Sequence, residues 1–172
     1  GWLTLIAPRH PHRGPDIAAI CNMAPRRSLG EWPSADCNLY IMDSFGEMGS
    51  LFSLADLTVL GGSFVAKGGH NPLEPAAFGL PIITGPHIFK NTADFTGLRD
   101  SGVVFDMIDD GTDPASAGRA IADLAIAIMK DKAQYRRIAS AAKTYAATAS
   151  KRSDDAAKMI ATVAPAPQSV RE

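Results

Sequence analysis

The stretch Gly61-Gly62-Ser63-Phe64-Val65-Ala66-Lys67-Gly68-Gly69-His70-Asn71-Pro72-Leu73-Glu74-Pro75 gathers two glycine pairs, a lysine, a histidine, an amide and a carboxylate. Glycine lets the main chain approach a ligand closely. A helix opening at the end of such a loop presents unpaired N–H groups and the positive end of its dipole, which together attract anions. On this reading bare amides from Gly69 to Leu73 form a cradle for a phosphate, with Lys67 adding a full positive charge. The spacing is neither a Walker A loop nor GxGxxG, so those nucleotide classes are not indicated. Asn71, Pro72 and Glu74 also read as a helix start close to a capping box. Glu74 is then either a capping group or, with Asn71 capping alone, a carboxylate free to accept from vicinal ribose hydroxyls.

Two further loops carry charge. Pro8-Arg9-His10-Pro11-His12-Arg13 follows an apolar run, and arginine suits bidentate contact to phosphate or carboxylate. The plain alternative is a solvated basic turn, which fits Arg13 better than Arg9. Asp43-Ser44-Phe45-Gly46-Glu47-Met48 follows another such run. There the Gly46 N–H can face a ligand, and Phe45 either packs on a base or joins the core. Glu47 suits a first helical turn whatever else it does. His10, His12, His70 and His87 show no i, i+4 pair and no cysteine cluster, so no metal is expected. No GxSxG elbow or other nucleophile-and-base pair stands out.

The elements that must position these loops follow from the apolar pattern. Strand-like runs occur at Leu3–Ala7, Cys37–Met42, Leu57–Leu60, Pro81–Thr84 and Val103–Met107. Helical spacing occurs at Pro15–Met23, Glu47–Ala55, Pro72–Phe78 and Thr92–Asp100, with Gly79 as a C′ residue. From Pro114 an Ala-rich region predicts two or three more helices, and 164–172, with Pro165 and Pro167, reads as a flexible tail. Strand-helix alternation predicts right-handed βαβ units and a Rossmann-like parallel sheet with helices on both faces, in one domain over 1–163. The strands are continuous apolar runs, as when both sheet faces are buried. Ligands in such a sheet bind at the carboxyl ends of the strands. Pro8–Arg13, Asp43–Gly46, Gly61–Asn71 and Gly85–Asn91 all fall there.

Composition excludes several classes. Over 172 residues, 17 Lys and Arg face 18 Asp and Glu, a formal charge of −1 that leaves no electrostatic footprint for nucleic acid. No stretch approaches the roughly 18 apolar residues of a membrane span, and no signal peptide opens the chain. Cys21 and Cys37 lack CxxC spacing, which fits a reducing compartment better than a disulfide scaffold. A chain that begins Gly-Trp-Leu-Thr-Leu-Ile, inside an apolar run and without Met, is expected to be a piece of a longer protein.

Asp43-Ser44-Phe45-Gly46-Glu47-Met48, Ala55-Asp56, Gly61-Gly62-Ser63-Phe64-Val65, the run Gly68-Gly69-His70-Asn71-Pro72-Leu73-Glu74-Pro75-Ala76-Ala77 and Gly85-Pro86-His87, with Arg9-His10-Pro11 upstream, resemble the 3-deoxy-D-manno-octulosonic acid (Kdo) transferase family. The resemblance covers about Leu3–Leu98 and matches that family's C-terminal half. It implies a GT-B glycosyltransferase, with two Rossmann-like halves and a cleft between them. The C-terminal half holds CMP-Kdo. The N-terminal half, absent from this chain, carries the acceptor site for a lipid A precursor, the membrane-associating surface and the catalytic base.

The implied partners are therefore CMP-Kdo, the lipid A precursor and a membrane surface, with no nucleic acid and no cofactor. The implied location is the cytoplasmic face of the bacterial inner membrane for the whole protein, the fragment itself being soluble. The motif carries Arg9, Gly46, Glu47, Asn71 and Glu74 onto this sequence as donor-binding residues, with Phe45, Gly69, His70 and Lys67 beside them. Phe45 stands where the family has Met, and Lys90-Asn91 replaces Asn-Phe, so Asn91 receives no role. The other readings are a GT-B relative using a UDP- or GDP-sugar, a nucleotide-binding module without transfer chemistry, and an α/β domain whose glycines only make turns.

Overall fold

The apolar runs do become strands, each trimmed where its ends meet polar or turn residues. The computed structural model describes residues 1–107 and 113–163. Contacts gather in two compact units, one spanning Gly1–Leu54 and one starting at Ala55.

In the first unit, strand β1 (Thr4–Ile6) pairs in parallel with β2 (Leu39–Ile41), Leu5 opposite Tyr40. Helix α1 (Gly14–Ile20) connects them, and α2 (Met48–Leu54) follows β2. Helix α1 ends before the expected Met23 because Asn22 and Met23 both take left-handed φ, at 51° and 57°, which costs non-glycine residues energy and stops a helix. Ala18, Ala24 and Ile41 form the core of this unit, with Ile17, Cys21 and Leu39 packed on it.

In the second unit, β3 (Thr58–Val59), β4 (Ile82–Thr84) and β5 (Val104–Asp106) form a parallel ladder with β4 in the middle. The middle strand is buried along its whole length, whereas Val59 on one neighbour is exposed. The expectation of buried faces thus holds for β4, which has partners on both sides, and weakens at the edges. Helix α3 (Leu73–Phe78) stops at Gly79, whose φ of +83° is the left-handed C′ conformation expected from the sequence. Helix α4 (Thr92–Asp100) buries Phe95 and Leu98 completely.

The Ala-rich region forms two helices, α5 (Pro114–Lys130) and α6 (Lys132–Val163). Asp113 caps the first, accepting from the N–H groups of Ala115 and Ser116 at 3.0 Å each. Asp131 breaks the pair at φ −93°, ψ 94° and caps the second through Ala133 and Gln134. Helix α6 presents Ile138, Ala142, Ala146 and Ala149 at three- and four-residue spacing, and all four are buried. Small side chains let α6 lie close to its neighbours. Gly97 on α4 faces Tyr145 so tightly that a Cβ there would collide with the phenol ring. Tyr135 anchors the start of α6, donating from its hydroxyl to the Asp56 carbonyl at 3.1 Å, and burial pushes its hydroxyl pKa up. The tail at 164–172 lies outside the described residues.

Candidate functional site

Parallel pairing puts the loops after β1 and β2 at one end of the first unit's ladder, and those after β3 and β4 at one end of the second's. The residues singled out in the sequence divide accordingly. Arg9, Phe45, Gly46 and Glu47 belong to the first unit, and Lys67, Gly69, His70, Asn71 and Glu74 to the second.

In the first unit Arg9 is exposed on the loop after β1, with no ion-pair partner among the described residues. Phe45 is 84 % exposed, so of its two readings the core one is excluded. Gly46 sits at φ +81°, a left-handed conformation that favours glycine, and its N–H donates to no protein acceptor among the described residues.

The carboxylates on either side of this tip are fully engaged. Asp43 is buried, accepts three hydrogen bonds and makes a further close ion-pair contact with Arg26. Arg26 Nε and Nη2 reach Oδ2 at 2.8 and 2.7 Å, Ser28 Oγ reaches Oδ2 at 2.7 Å, and the Ser28 N–H reaches Oδ1 at 2.9 Å. Burial alone would push the Asp43 carboxyl pKa up, but the Ser28 and Arg26 donors outweigh it and hold the pKa below the usual carboxylate range. Gly14, the first residue of α1, is needed beside it, because a Cβ there would collide with the Asp43 carboxylate.

Glu47 is not a free acceptor. Arg27 Nε donates to both its oxygens, at 3.1 and 3.2 Å, Arg27 Nη2 adds a bond to Oε1 at 3.0 Å, and Ser44 Oγ donates to Oε2. The Arg27 and Ser44 donors hold the Glu47 carboxyl below its ordinary pKa. Arg27 in turn lies over the Trp32 ring at 4.8 Å from its centroid. Arg26, Arg27 and Ser28 were absent from the sequence reading. Their segment has no periodicity, and the only signal was two adjacent arginines followed by a serine.

In the second unit the loops after β3 and β4 are sewn together. Ser63 is fully buried; its Oγ donates to the Leu60 carbonyl at 2.6 Å and accepts from the Gly85 N–H at 2.9 Å. The Ser63 carbonyl accepts from His87 N–H at 2.9 Å, and the Gly68 carbonyl from Lys90 N–H at 3.1 Å. Of the N–H groups expected to be bare around the second glycine pair, three are paired within the loop. Gly69 N–H donates to the Gly62 carbonyl at 2.9 Å, His70 N–H to Gly61 at 3.2 Å, and Leu73 N–H to Asn71 Oδ1 at 3.0 Å. Those three donors close the loop on itself, whereas the Gly68 and Asn71 N–H groups donate to no protein acceptor among the described residues. Lys67 is exposed and without an ion-pair partner among the described residues.

The N-cap of α3 is Pro72 rather than Asn71, which lies one residue earlier and accepts from the Leu73 N–H through Oδ1 at 3.0 Å; Glu74 makes no bond to a backbone N–H and meets only the Asn71 amide, at 3.4 Å. Of its two readings, the capping box is the one the geometry leaves out. Glu74 instead lines an open groove of about 410 Å3 with Asn71, Leu73 and Ala77, facing Ala146, Ala149, Ser150, Ser153 and Asp154 of α6. Among the described residues no basic side chain lines this groove, and two carboxylates, Glu74 and Asp154, do. Its chemistry suits a neutral, donor-rich moiety such as sugar hydroxyls or an exocyclic amine, and repels a phosphate. The contribution of α6 was not foreseen, because its serines and alanines read only as helix. Among the described residues no group of three His, Cys, Asp or Glu is placed to hold a metal, and no helix is long and apolar enough to cross a membrane.

These features define a parallel α/β domain with polar loops at the carboxyl ends of its strands, the class that holds nucleotides and nucleotide sugars. Within that class the chain is similar to Kdo transferases and to the C-terminal domain of one of them. The 3-deoxy-D-manno-octulosonic acid transferase of Haemophilus influenzae is 42 % identical over 92 residues, 51 % of this chain and 22 % of that protein. That of Rickettsia prowazekii is 45 % identical over 92 residues, 51 % of this chain and 20 % of that protein. A probable mitochondrial one from Arabidopsis thaliana is 38 % identical over 92 residues, 50 % of this chain and 21 % of that protein. The match spans about a fifth of the length of these curated relatives. The crystal structure of the C-terminal CMP-Kdo binding domain of WaaA from Acinetobacter baumannii superposes with a TM-score of 0.71 at 26 % identity, over 83 % of this chain and 72 % of that one. No family model matches the chain.

Proposed function

We propose that this chain is the CMP-Kdo-binding domain of a Kdo transferase, a glycosyltransferase that moves Kdo from CMP to a hydroxyl of a lipid A precursor. What carries this reading is the likeness of its fold to a CMP-Kdo binding domain over most of the chain. The acceptor site, the catalytic base and the membrane-associating surface then belong to an N-terminal half outside this sequence, working at the cytoplasmic face of the inner membrane.

The chemistry asks for particular groups. As the acceptor hydroxyl bonds to the anomeric carbon, with inversion, the bond to the CMP phosphate breaks and negative charge grows on the departing monoester. Fixed donors aimed at that charge lower the barrier. In the first unit Arg9 and the unpaired Gly46 N–H are the groups offered to an anion. In the second unit the acidic groove offers Glu74 to the ribose hydroxyls, with Asn71 holding the loop behind it. His70 and Gly69 lie in that same loop, with Gly69 closing it. Lys67 contributes charge alone, and Phe45 supplies an exposed apolar wall for a base or ribose.

Titrating the chain with CMP, UMP and UDP tests the reading. CMP preference is expected; UDP preference would point to another sugar donor, and no nucleotide binding at all would overturn the proposal. Glu74→Ala is expected to weaken CMP binding by about 1–3 kcal/mol, the scale of a lost charged hydrogen bond, with the unfolding temperature nearly unchanged. A clear loss of thermal stability with full CMP affinity would return Glu74 to a purely structural role. The isolated chain should transfer no Kdo, and turnover by it alone would refute the division of labour.

A further inference from the structure

Two adjacent arginines, Arg26 and Arg27, each grip one of the two carboxylates that bracket Ser44-Phe45-Gly46. The two grips differ in kind. Arg26 meets a carboxylate side chain that is wholly buried, and Ser28 completes the shell. Arg27 and Glu47 keep 30 % and 32 % of their side-chain surfaces in water. Ion pairs that exposed add little to folding stability, yet this one is bidentate, reinforced by Ser44 and backed by the Trp32 ring. Such a pair specifies geometry more than it stabilises. Its geometry fixes Ser44 and Glu47, the residues on either side of Phe45-Gly46, and so the direction of the Gly46 N–H, which donates to no protein acceptor among the described residues.

Resting on the reading of this chain as a CMP-Kdo-binding domain, we propose that Arg27 is a positioning residue for the donor: through Glu47 and Ser44 it holds the Gly46 N–H in the orientation that meets the donor's anionic group. Glu47 is thereby a latch on the loop. Its oxygens already accept from three donor atoms, Arg27 Nε, Arg27 Nη2 and Ser44 Oγ, and are committed before a ligand arrives. A guanidinium is required at position 27 because only its planar fork reaches both oxygens at once, whereas an ammonium offers charge without that alignment.

The test is CMP titration of the full chain with Arg27→Ala, Arg27→Lys, Glu47→Ala and the Arg27→Ala/Glu47→Ala double variant. Each preparation is paired with a thermal melt and with the amide NMR signal of Gly46. Arg27→Ala is expected to weaken CMP binding on the order of tenfold, as misplaced contacts do, with a near-native melt. Arg27→Lys should recover part of the loss. The double variant should bind no more weakly than the weaker single one, because the two residues act as a unit. The CMP-induced shift of the Gly46 amide should shrink in Arg27→Ala. Arg99→Ala, which breaks an equally exposed ion pair with Asp106 in the second unit, should leave CMP affinity at the wild-type value.

Wild-type affinity in Arg27→Ala, or additive losses in the double variant, would overturn the assignment while leaving the donor reading intact. A wild-type chain that ignores CMP would overturn the donor reading, and this assignment with it.

Discussion

Arg26→Ala should lose about 3–5 kcal/mol of folding stability at pH 7, the cost of stranding a buried charge without its counter-ion. The Asp43 side chain has no exposure to water, and both Nε and Nη2 of Arg26 lie within 2.8 Å of Oδ2. Ser28 adds two hydrogen bonds, from its N–H and its hydroxyl, which lowers the cost of ionising Asp43 but does not neutralise it. The loss should depend on pH with a definite sign. Asp43 has a depressed pKa in the folded state, so its stabilising effect is present above the unfolded pKa and fades as the pH falls through the folded one. Once Asp43 is protonated, removing Arg26 strands nothing. Urea unfolding of wild type and variant should therefore show a gap that is full at pH 7 and narrows as the pH is lowered below about 4. A gap of constant size across that range would mean that Arg26 stabilises by packing and not by charge.

Gly85→Ala should cost about 2–3 kcal/mol, at the upper part of the usual range for overpacking. A Cβ at position 85 would lie 2.5 Å from the Ser63 carbonyl oxygen, 2.7 Å from its carbon and 2.9 Å from the Phe64 Cα. All three belong to the main chain, so no side chain can swing aside to relieve the clash. The Ser63 hydroxyl that accepts from Gly85 N–H, and the Ser63 carbonyl that accepts from His87 N–H, would be pushed away together. Hydrogen exchange reads this directly, as the Gly85 and His87 amides should exchange faster than in wild type while the β4 amides keep their protection. Unchanged exchange at both positions would show that the loop absorbs a methyl group without opening.

Most of the fold could be read from the sequence because its signals are local. The apolar runs gave each strand to within a residue or two, and Gly79 and Thr92 marked helix ends where they occur. The break between the two C-terminal helices rests on Asp131, whose capping role is also local. The site was read less completely. Ser63 was seen only as a loop residue, although it is the buried pin between two loops, because its partners lie at Gly85 and His87. The amides of Gly69 and His70 were expected to be free, since a sequence does not reveal that the Gly61-Gly62 carbonyls turn back to meet them. Arg26 and Arg27 went unnoticed for the same reason, with carboxylate partners seventeen and twenty residues away. The five-residue window from Asp43 to Glu47 drew attention to the right place, but the roles of its two acids emerged only with the arginines that hold them.

The paired clasps also act as a ruler. Arg26 and Arg27, adjacent in the chain, hold two acids, Asp43 and Glu47, that have three residues between them. Inserting or deleting a residue between Ser44 and Gly46 would leave one arginine short of its mate. The Phe45 ring projects outward and takes no part in either clasp. A change of side chain at Phe45 therefore leaves both clasps intact, whereas a change in the number of residues around it does not.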